Sequence, residues 1–121
     1  MAKTIAPYPA TRLRRTRKMA ALRGLVRENA LEVDDLIWPV FVQDGENKRT
    51  AIPSMPGVDR LSIDLLVQAA TEAYDLGIPA ICLFPYIEQD LKTEDCAGAW
   101  DPNNLVNRAI RAIKAAVPEL A

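Results

Sequence analysis

An uninterrupted apolar run, Leu36-Ile37-Trp38-Pro39-Val40-Phe41-Val42, lies in the first half of the 121-residue chain. The run is rich in β-forming residues and does not alternate with polar ones, which is typical of a strand covered on both faces in a parallel sheet. Pro39 conflicts with this interpretation, because proline cannot donate to the hydrogen-bond ladder of a sheet. We therefore expect a strand that borders an unusual connection or a bulge.

A second short apolar segment, Ala80-Ile81-Cys82-Leu83-Phe84, is bounded by Pro79 and Pro85. Its length and its proline boundaries predict another buried strand. The connection between the strands includes a long polar stretch, residues 43–60. A stretch of this length is either functional or forms a small hairpin.

Two amphipathic helices are predicted by the spacing of apolar residues. Ser62 is the expected N-cap of the first helix, and Gly77 supplies its left-handed stop. The second helix is capped by Asn103 or Asn104 and stopped by Pro118. The apolar faces consist of Leu65, Leu66, Ala69, Ala70, Ala73 and Tyr74 in the first helix, and Leu105, Val106, Ala109, Ile110, Ile113 and Val117 in the second.

The resulting order is strand, long loop, helix, strand, loop, helix. Alternation of this kind predicts an α/β fold in which βα units surround a parallel sheet. Two such units can neither close a barrel nor cover both faces of a sheet. We therefore expect strand edges and apolar faces to lack partners in this chain.

Charge is distributed unevenly along the chain. Residues 1–30 contain eight basic residues and one acidic residue, a net charge of +7, whereas residues 31–121 contain seven basic and fifteen acidic residues, a net charge of −8. Residues 11–29 are mostly good helix formers, which predicts one or two short helices interrupted near Gly24 or before it. A basic arm on an acidic body favours docking on protein, with nucleic-acid binding as the rival interpretation.

Composition narrows the function classes. The chain contains no histidine, which disfavours hydrolase chemistry of the catalytic-triad kind. No apolar run approaches the length needed to cross a bilayer, and the amino terminus lacks a secretory signal, so we expect a cytoplasmic protein with no membrane partner. Cys82 and Cys96 have no metal-ligand spacing; we expect a buried structural thiol at Cys82 and an unreactive thiol at Cys96.

Several segments resemble the opening of the porphobilinogen synthase (5-aminolevulinate dehydratase) family. They occur in the family's order and span about residues 10 to 120. They are Arg12-Leu13-Arg14-Arg15, Leu31–Val42 with Asp44-Gly45, Ser54-Met55-Pro56-Gly57-Val58 with Arg60-Leu61-Ser62, Ile81-Cys82-Leu83-Phe84-Pro85, and Asp101-Pro102-Asn103-Asn104-Leu105.

The resemblance implies the first two βα units of a (β/α)₈ TIM barrel at residues 31–121, preceded by an extended or helical arm at residues 1–30. It also implies a homo-oligomer assembled through the arm, commonly an octamer in the full-length enzyme. The implied activity is a lyase reaction of tetrapyrrole biosynthesis, in which two 5-aminolevulinate molecules condense to porphobilinogen with loss of water. The family's two active lysines, and the segment that decides between zinc, magnesium and no metal, belong to later strands.

Catalytic and metal-binding residues are therefore not expected within this chain, and the chain alone is expected to be inactive. Lys92 and Lys114 lie in polar settings that would not depress the pKa of an amine. The loop carboxylates Glu88, Asp90, Glu94, Asp95 and Asp101 fit no calcium loop, and we expect them to be solvated.

Two candidate sites remain. Phe84 ends the second strand, where it either lines a substrate pocket or packs beneath the loops of the barrel mouth. The cluster Arg12, Arg14, Arg15 and Arg17 is the candidate oligomer-docking arm, or else a solvated tail. An alternative function is a non-catalytic oligomerisation or regulatory module that acts through this arm. A nucleic-acid-binding arm is disfavoured because no aromatic residues are interleaved with the arginines.

Overall fold

The structure, a computed structural model, describes residues 6–12 and 14–121. The chain divides into two compact units, residues 1–31 and residues 32–121. In the first unit, a 3₁₀ helix spans Arg15–Arg17 and helix α1 spans Ala20–Leu25. The interruption therefore precedes Gly24, which lies inside α1. Leu13, part of the block that resembles the family, lies outside the described residues.

The second unit is built on a four-stranded mixed sheet with the order β2-β3-β1-β4. The strands are β1 (Ile37–Val42), β2 (Arg49–Ala51), β3 (Asp59–Leu61) and β4 (Ala80–Pro85). Strand β1 pairs in parallel with β4 along its whole length and with β3 at its last two residues, while β2 and β3 form an antiparallel hairpin. Both predicted strands are present, but neither is buried on both faces in this chain. The long polar connection forms the small hairpin.

Pro39 fits into β1 without a bulge, because the pairing of β1 with β4 is continuous through it. The main-chain carbonyl of Val42 accepts from Tyr86 on the β4 side, whereas the N–H of Gln43 donates to Leu61 on the β3 side. Hydrogen-bonding groups of successive residues in a parallel strand point alternately to the two sides. Pro39 is therefore turned away from β4 and removes no bond from that ladder. The other edge of β1 pairs with β3 only at Phe41 and Val42, beyond Pro39. The expectation of a bulge is therefore wrong.

The helices of this unit are α2 (Ile63–Asp75), α3 (Ala97–Trp100) and α4 (Leu105–Ala116), with 3₁₀ turns at Val33–Asp35 and Gln89–Leu91. Asn104 caps α4, since its side-chain oxygen accepts from the N–H of Asn107 at 2.9 Å. Gly77 ends α2 with φ +87°, which confirms the left-handed stop. Among the described residues, no helix is long and apolar enough to cross a membrane.

The core lies on one face of the sheet. Val40, Val42 and Leu61 pack there against the apolar faces of α2 and α4, around Leu66 and Ala109, which are fully buried. This packing confirms the α/β class of the fold and most of both predicted apolar faces. Tyr74 and Ile110, which we expected on those faces, are 41% and 43% exposed instead.

The opposite face of the sheet is not covered within this unit. Ile37 is 66% exposed and Phe84 is 45% exposed, and both alternate with residues that face the helices. Cys82 is paired with Pro39 on this bare face and is exposed. The expectation of a buried thiol at Cys82 is therefore wrong for this chain, because its side of the sheet has no partner layer.

Candidate functional site

Aromatic side chains meet at the carboxyl ends of β1 and β4, on the bare face of the sheet. Phe41 is paired with Phe84 in the register of the two strands, and their ring centroids are 5.5 Å apart with an interplanar angle of 34°. A tilted pair at this distance is a favourable aromatic contact. The carboxyl end is also where parallel α/β folds build their binding sites.

The β2–β3 hairpin extends this end of the sheet, and Gln43 attaches it to β1. The Gln43 side chain is only 3% exposed, and its amide nitrogen donates to Thr50 Oγ1 at 3.0 Å and to the carbonyl of Arg60 at 3.0 Å. The same nitrogen lies 3.3 Å from the carbonyl of Lys48. A buried amide that bonds to both hairpin strands fixes the hairpin relative to β1.

Ser62 and Asp64 hold the turn before the hairpin against the start of α2. Ser62 occupies the N-cap position as predicted, but its hydroxyl does not cap the helix; instead it accepts from the N–H of Lys48 at 2.9 Å. Asp64 accepts from the N–H of Asn47 at 2.9 Å. A hydrogen bond from the Ser62 side chain is the main cause that lowers the pKa of Asp64 below 3.8. Desolvation opposes this effect, and the bond from the Asn47 N–H adds to it.

Arg60 reaches the same end of the sheet from β3. It is paired with Phe41, so its side chain stands on the bare face, and its Cζ atom lies 4.2 Å from the centroid of the Tyr86 ring. Tyr86 directly follows β4, and its hydroxyl bonds to the carboxylate of Glu88 at 3.1 Å. The structure therefore brings together a cation and three aromatic rings where the strands end.

Lys92 and Lys114, which we expected to be non-catalytic, form hydrogen bonds close to their own positions in the chain. Lys92 bonds to the side chain of Gln89 at 3.3 Å, and Lys114 donates to the carbonyls of Pro118 and Leu120 at 3.0 and 2.6 Å. Lys114 is thus a clamp on the segment that follows α4. Lys114 belongs to α4, which packs on the covered face of the sheet.

The acidic loop after β4 uses its carboxylates locally. Asp95 accepts from the N–H of Ala97, and Asp101 accepts from the N–H of Asn103. Hydrogen bonds from the Thr93 side chain and then from Ala97 lower the pKa of Asp95 below 3.8. In the part of the chain that the structure describes, no group of three His, Cys, Asp or Glu side chains is placed to hold a metal ion.

A surface cavity of about 530 Å³ lies at the other, amino end of the sheet. It is lined by Tyr74, Asp75, Gly77, Ile78, Pro79 and Glu119. Ligands of parallel α/β sheets bind at the carboxyl ends of the strands rather than at the amino ends. We therefore place the candidate site at the aromatic end.

The four arginines of the candidate arm are exposed in the first unit. The Cζ atom of Arg12 lies 5.7 Å from the ring centroid of Tyr8, and the carbonyl of Arg17 accepts from Arg23. Across residues 6–12 and 14–121, none of the four forms an ion pair. Their docking role stays a prediction.

Sequence reasoning found Phe84 but missed Phe41, Arg60 and Tyr86 as its neighbours. The role of Phe84 in a substrate pocket remains a prediction, although its position at the strand end is as expected. Phe41 could have been found from the rule that parallel strands end at the same edge. Arg60 could not, because the register of a short hairpin strand against β1 has no signature in the sequence.

Comparisons with known proteins identify relatives of nearly the whole chain. The family model described as delta-aminolevulinic acid dehydratase matches residues 10–121. The dehydratase of Bradyrhizobium diazoefficiens is 54% identical over 111 residues, which cover 92% of this chain and 31% of the relative. That of Rhodobacter capsulatus is 46% identical over 115 residues, which cover 95% of this chain and 35% of the relative.

A solved structure is similar in fold as well as in sequence. The Toxoplasma gondii dehydratase, crystallised with the reaction product porphobilinogen, has a TM-score of 0.85 and 43% identity to this chain. The match covers 91% of this chain and 31% of that structure. The chain therefore spans about a third of the length of the relatives it matches.

Proposed function

The chain belongs to the delta-aminolevulinic acid dehydratase family, and we propose that it forms the amino-terminal third of an enzyme that condenses two 5-aminolevulinate molecules to porphobilinogen with loss of water. The observation that carries this proposal is the match of the family model to residues 10–121. It is supported by the similarity to the porphobilinogen-bound structure, whose fold this chain shares at a TM-score of 0.85. The reaction is a lyase reaction of tetrapyrrole synthesis, and we place it in the cytoplasm.

In this proposal, β1-α2 and β4-α4 are the first two βα units of a TIM barrel. The sheet has helices on one face and an uncovered apolar face on the other. Two adjacent βα units of a barrel would have this arrangement in the absence of the other six. The outer edge of β4 supplies a second argument. Ala121 donates to the carbonyl of Pro79 and accepts from the N–H of Ile81, each at 2.9 Å, which is the bonding pattern of a parallel strand opposite Ala80.

The bare face would become the barrel interior, and its carboxyl end the wall of the active site. Phe41 and Phe84 would exclude water from that part of the mouth, with Phe84 lining the substrate pocket. We propose that the amines that attack the substrate lie outside these 121 residues, because Lys92 and Lys114 are engaged in local hydrogen bonds with Gln89 and Leu120. The chain by itself would then be inactive.

The basic unit, residues 1–31, would act as an assembly arm. We propose that the arm contacts carboxylates of a second copy in a homo-oligomer through Arg12, Arg14, Arg15 and Arg17. Two observations support this proposal: these arginines are exposed, and the rest of the chain carries a net charge of opposite sign. Replacing all four with glutamine should reduce the mass measured by light scattering. Replacing the exposed Lys92 with glutamine should leave it unchanged.

The same charge asymmetry supports a second candidate function, a non-catalytic module that associates through its arm. A module would retain association but form no porphobilinogen. A nucleic-acid-binding arm would instead be retained on nucleic acid, with an affinity that falls steeply as salt increases.

A chimera tests the proposed function directly. In it, residues 10–121 of this chain replace the matching segment of the Bradyrhizobium diazoefficiens relative. We expect the chimera to form porphobilinogen from 5-aminolevulinate, whereas the relative with that segment deleted should not. A soluble, assembled chimera without activity would contradict the proposal.

A further inference from the structure

Arg60 differs from the other arginines of residues 32–121 in the partners of its guanidinium group. The other three each donate to an oxygen atom: Arg49 to Asp59, Arg108 to Asp44 and Arg111 to Asn103. Among the described residues, the guanidinium of Arg60 makes neither a hydrogen bond nor an ion pair, and its contact is the ring of Tyr86. Its donors are therefore open to a ligand.

The position of Arg60 is fixed from both ends. Its main-chain carbonyl accepts from the buried amide of Gln43 at 3.0 Å, which holds β3 against the end of β1. Its guanidinium lies over Tyr86, whose N–H donates to the carbonyl of Val42 at 2.7 Å and whose hydroxyl bonds to Glu88. An arginine held in this way loses little side-chain entropy when it binds an anion.

The surroundings of Arg60 favour a charged ligand of a particular kind. The side chain is partly buried and stands on the bare face beside Phe41 and Phe84, at the carboxyl ends of the strands. A guanidinium that stacks on an aromatic ring and is partly shielded from water binds carboxylates more strongly than a fully exposed one does. Asp59, its neighbour in sequence, pairs with Arg49 on the opposite face and does not compete.

We propose that Arg60 binds a carboxylate group on the bare face of the sheet and that Tyr86 acts as the positioning residue for it. The inference rests on the proposed function, in which this face lies inside the barrel. The carboxylate has two possible sources, namely the 5-aminolevulinate substrate and an acidic side chain of the remaining barrel. Both present the same planar, bidentate acceptor to the guanidinium fork.

The test compares variants of the complete polypeptide that contains this chain, by steady-state kinetics on 5-aminolevulinate and by thermal melting. If the substrate supplies the carboxylate, Arg60→Gln raises KM about ten- to hundredfold with an unchanged melting temperature, the loss expected for a charged hydrogen bond. If the protein supplies it, Arg60→Gln lowers the melting temperature by several degrees while KM is retained. Arg60→Lys, which keeps the charge without the fork, replaces Arg60→Gln if the latter does not fold.

Two further variants test the role of Tyr86. Tyr86→Leu removes the ring and should reproduce the Arg60→Gln effect at about two- to tenfold, whereas Tyr86→Phe keeps the ring and should be close to wild type. Arg49→Gln is the matched control, because it removes an exposed arginine from the same hairpin on the opposite face.

The outcomes separate this inference from the proposed function. Wild-type polypeptide that forms no porphobilinogen contradicts the proposed function. Active wild-type enzyme in which Arg60→Gln matches Arg49→Gln, in both KM and melting temperature, overturns the assignment of Arg60.

Discussion

Replacing Gln43 with leucine should loosen the β2–β3 hairpin without unfolding the rest of the sheet. The change removes a buried amide that donates to Thr50 Oγ1 and to the carbonyl of Arg60 at 3.0 Å each. Leucine has a similar size and places no polar atom among these acceptors. The hairpin would then be held to β1 by main-chain bonds and by the contact of Leu61 with the core.

The cost of this change follows from what happens to the acceptors. The carbonyl of Lys48 also accepts from the N–H of Ser62 at 2.9 Å, so it keeps a partner. The main-chain N–H groups of Ser62 and Ile52 bond to the carbonyls of Lys48 and Val58, on either side of the Thr50–Arg60 pair. Every second pair of an antiparallel ladder is hydrogen-bonded, so Thr50 and Arg60 also exchange main-chain bonds. No main-chain carbonyl is orphaned, so the loss is that of two neutral hydrogen bonds, about 2 kcal/mol.

Hydrogen–deuterium exchange of residues 43–62 measures this loss as the free energy of local opening. A loss of about 2 kcal/mol corresponds to exchange that is roughly thirtyfold faster. Gln68→Leu, at an exposed position of α2, is the control and should change exchange little.

Gln43→Glu sharpens the test because a carboxylate would face the same acceptor oxygens. It should open the hairpin more than leucine does at neutral pH. The pKa of this glutamate would be raised above its ordinary value in the folded protein. The destabilisation should therefore fade as the pH falls from the raised pKa to the ordinary one. Equal exchange in Gln43→Leu and Gln68→Leu, or a glutamate better tolerated than leucine at neutral pH, would refute the reasoning.

Three further outcomes are expected. The pKa of Asp64 is lowered by the Ser62 hydroxyl and the Asn47 N–H, so Asp64 contributes stability above its ordinary pKa of 3.8. This contribution is lost as the pH falls through the lower pKa of the folded state. Asp64→Asn should flatten this acid-side change in the exchange of residues 43–62, and an unchanged pH profile would contradict the assignment. Asn104→Ala should destabilise the start of α4 by about 1 kcal/mol, seen as faster exchange there, whereas an aspartate at this position should be tolerated. Gly77→Ala should cost about 1 to 2 kcal/mol in thermal or chemical stability because φ is +87°, while Gly98→Ala, where an added β-carbon meets open space, should be nearly neutral.

The parts of the fold that depend on local pattern could be predicted from the sequence. Strands β1 and β4 are continuous apolar runs, and α2 and α4 have apolar residues at helical spacing with recognisable ends at Gly77 and Asn104. In these elements the chain's own propensity and the packing of the core favour the same structure.

The parts that depend on partners across the sheet could not be predicted. Cys82 lies in an apolar strand, yet it is exposed because the layer that would cover its face is absent from the described residues. Pro39 lacks the N–H group that a central strand normally uses for pairing. Only the pairing of β1 with β4 shows that Pro39 is turned away from β4 and removes no bond from that ladder. Arg60 becomes a candidate site residue only because β3 pairs it with Phe41. This pairing is supported by the side-chain amide of Gln43, which lies 17 residues before Arg60 in the chain and bonds to its carbonyl.

The most direct test of the account is the formation of porphobilinogen from 5-aminolevulinate by the purified protein, measured together with its intact mass. The account predicts activity in a polypeptide well above 13.4 kDa, the mass of these 121 residues. Activity in a 13.4 kDa polypeptide would contradict the placement of the reactive amines outside this chain. A full-length polypeptide that is folded but forms no porphobilinogen would contradict the proposed function itself.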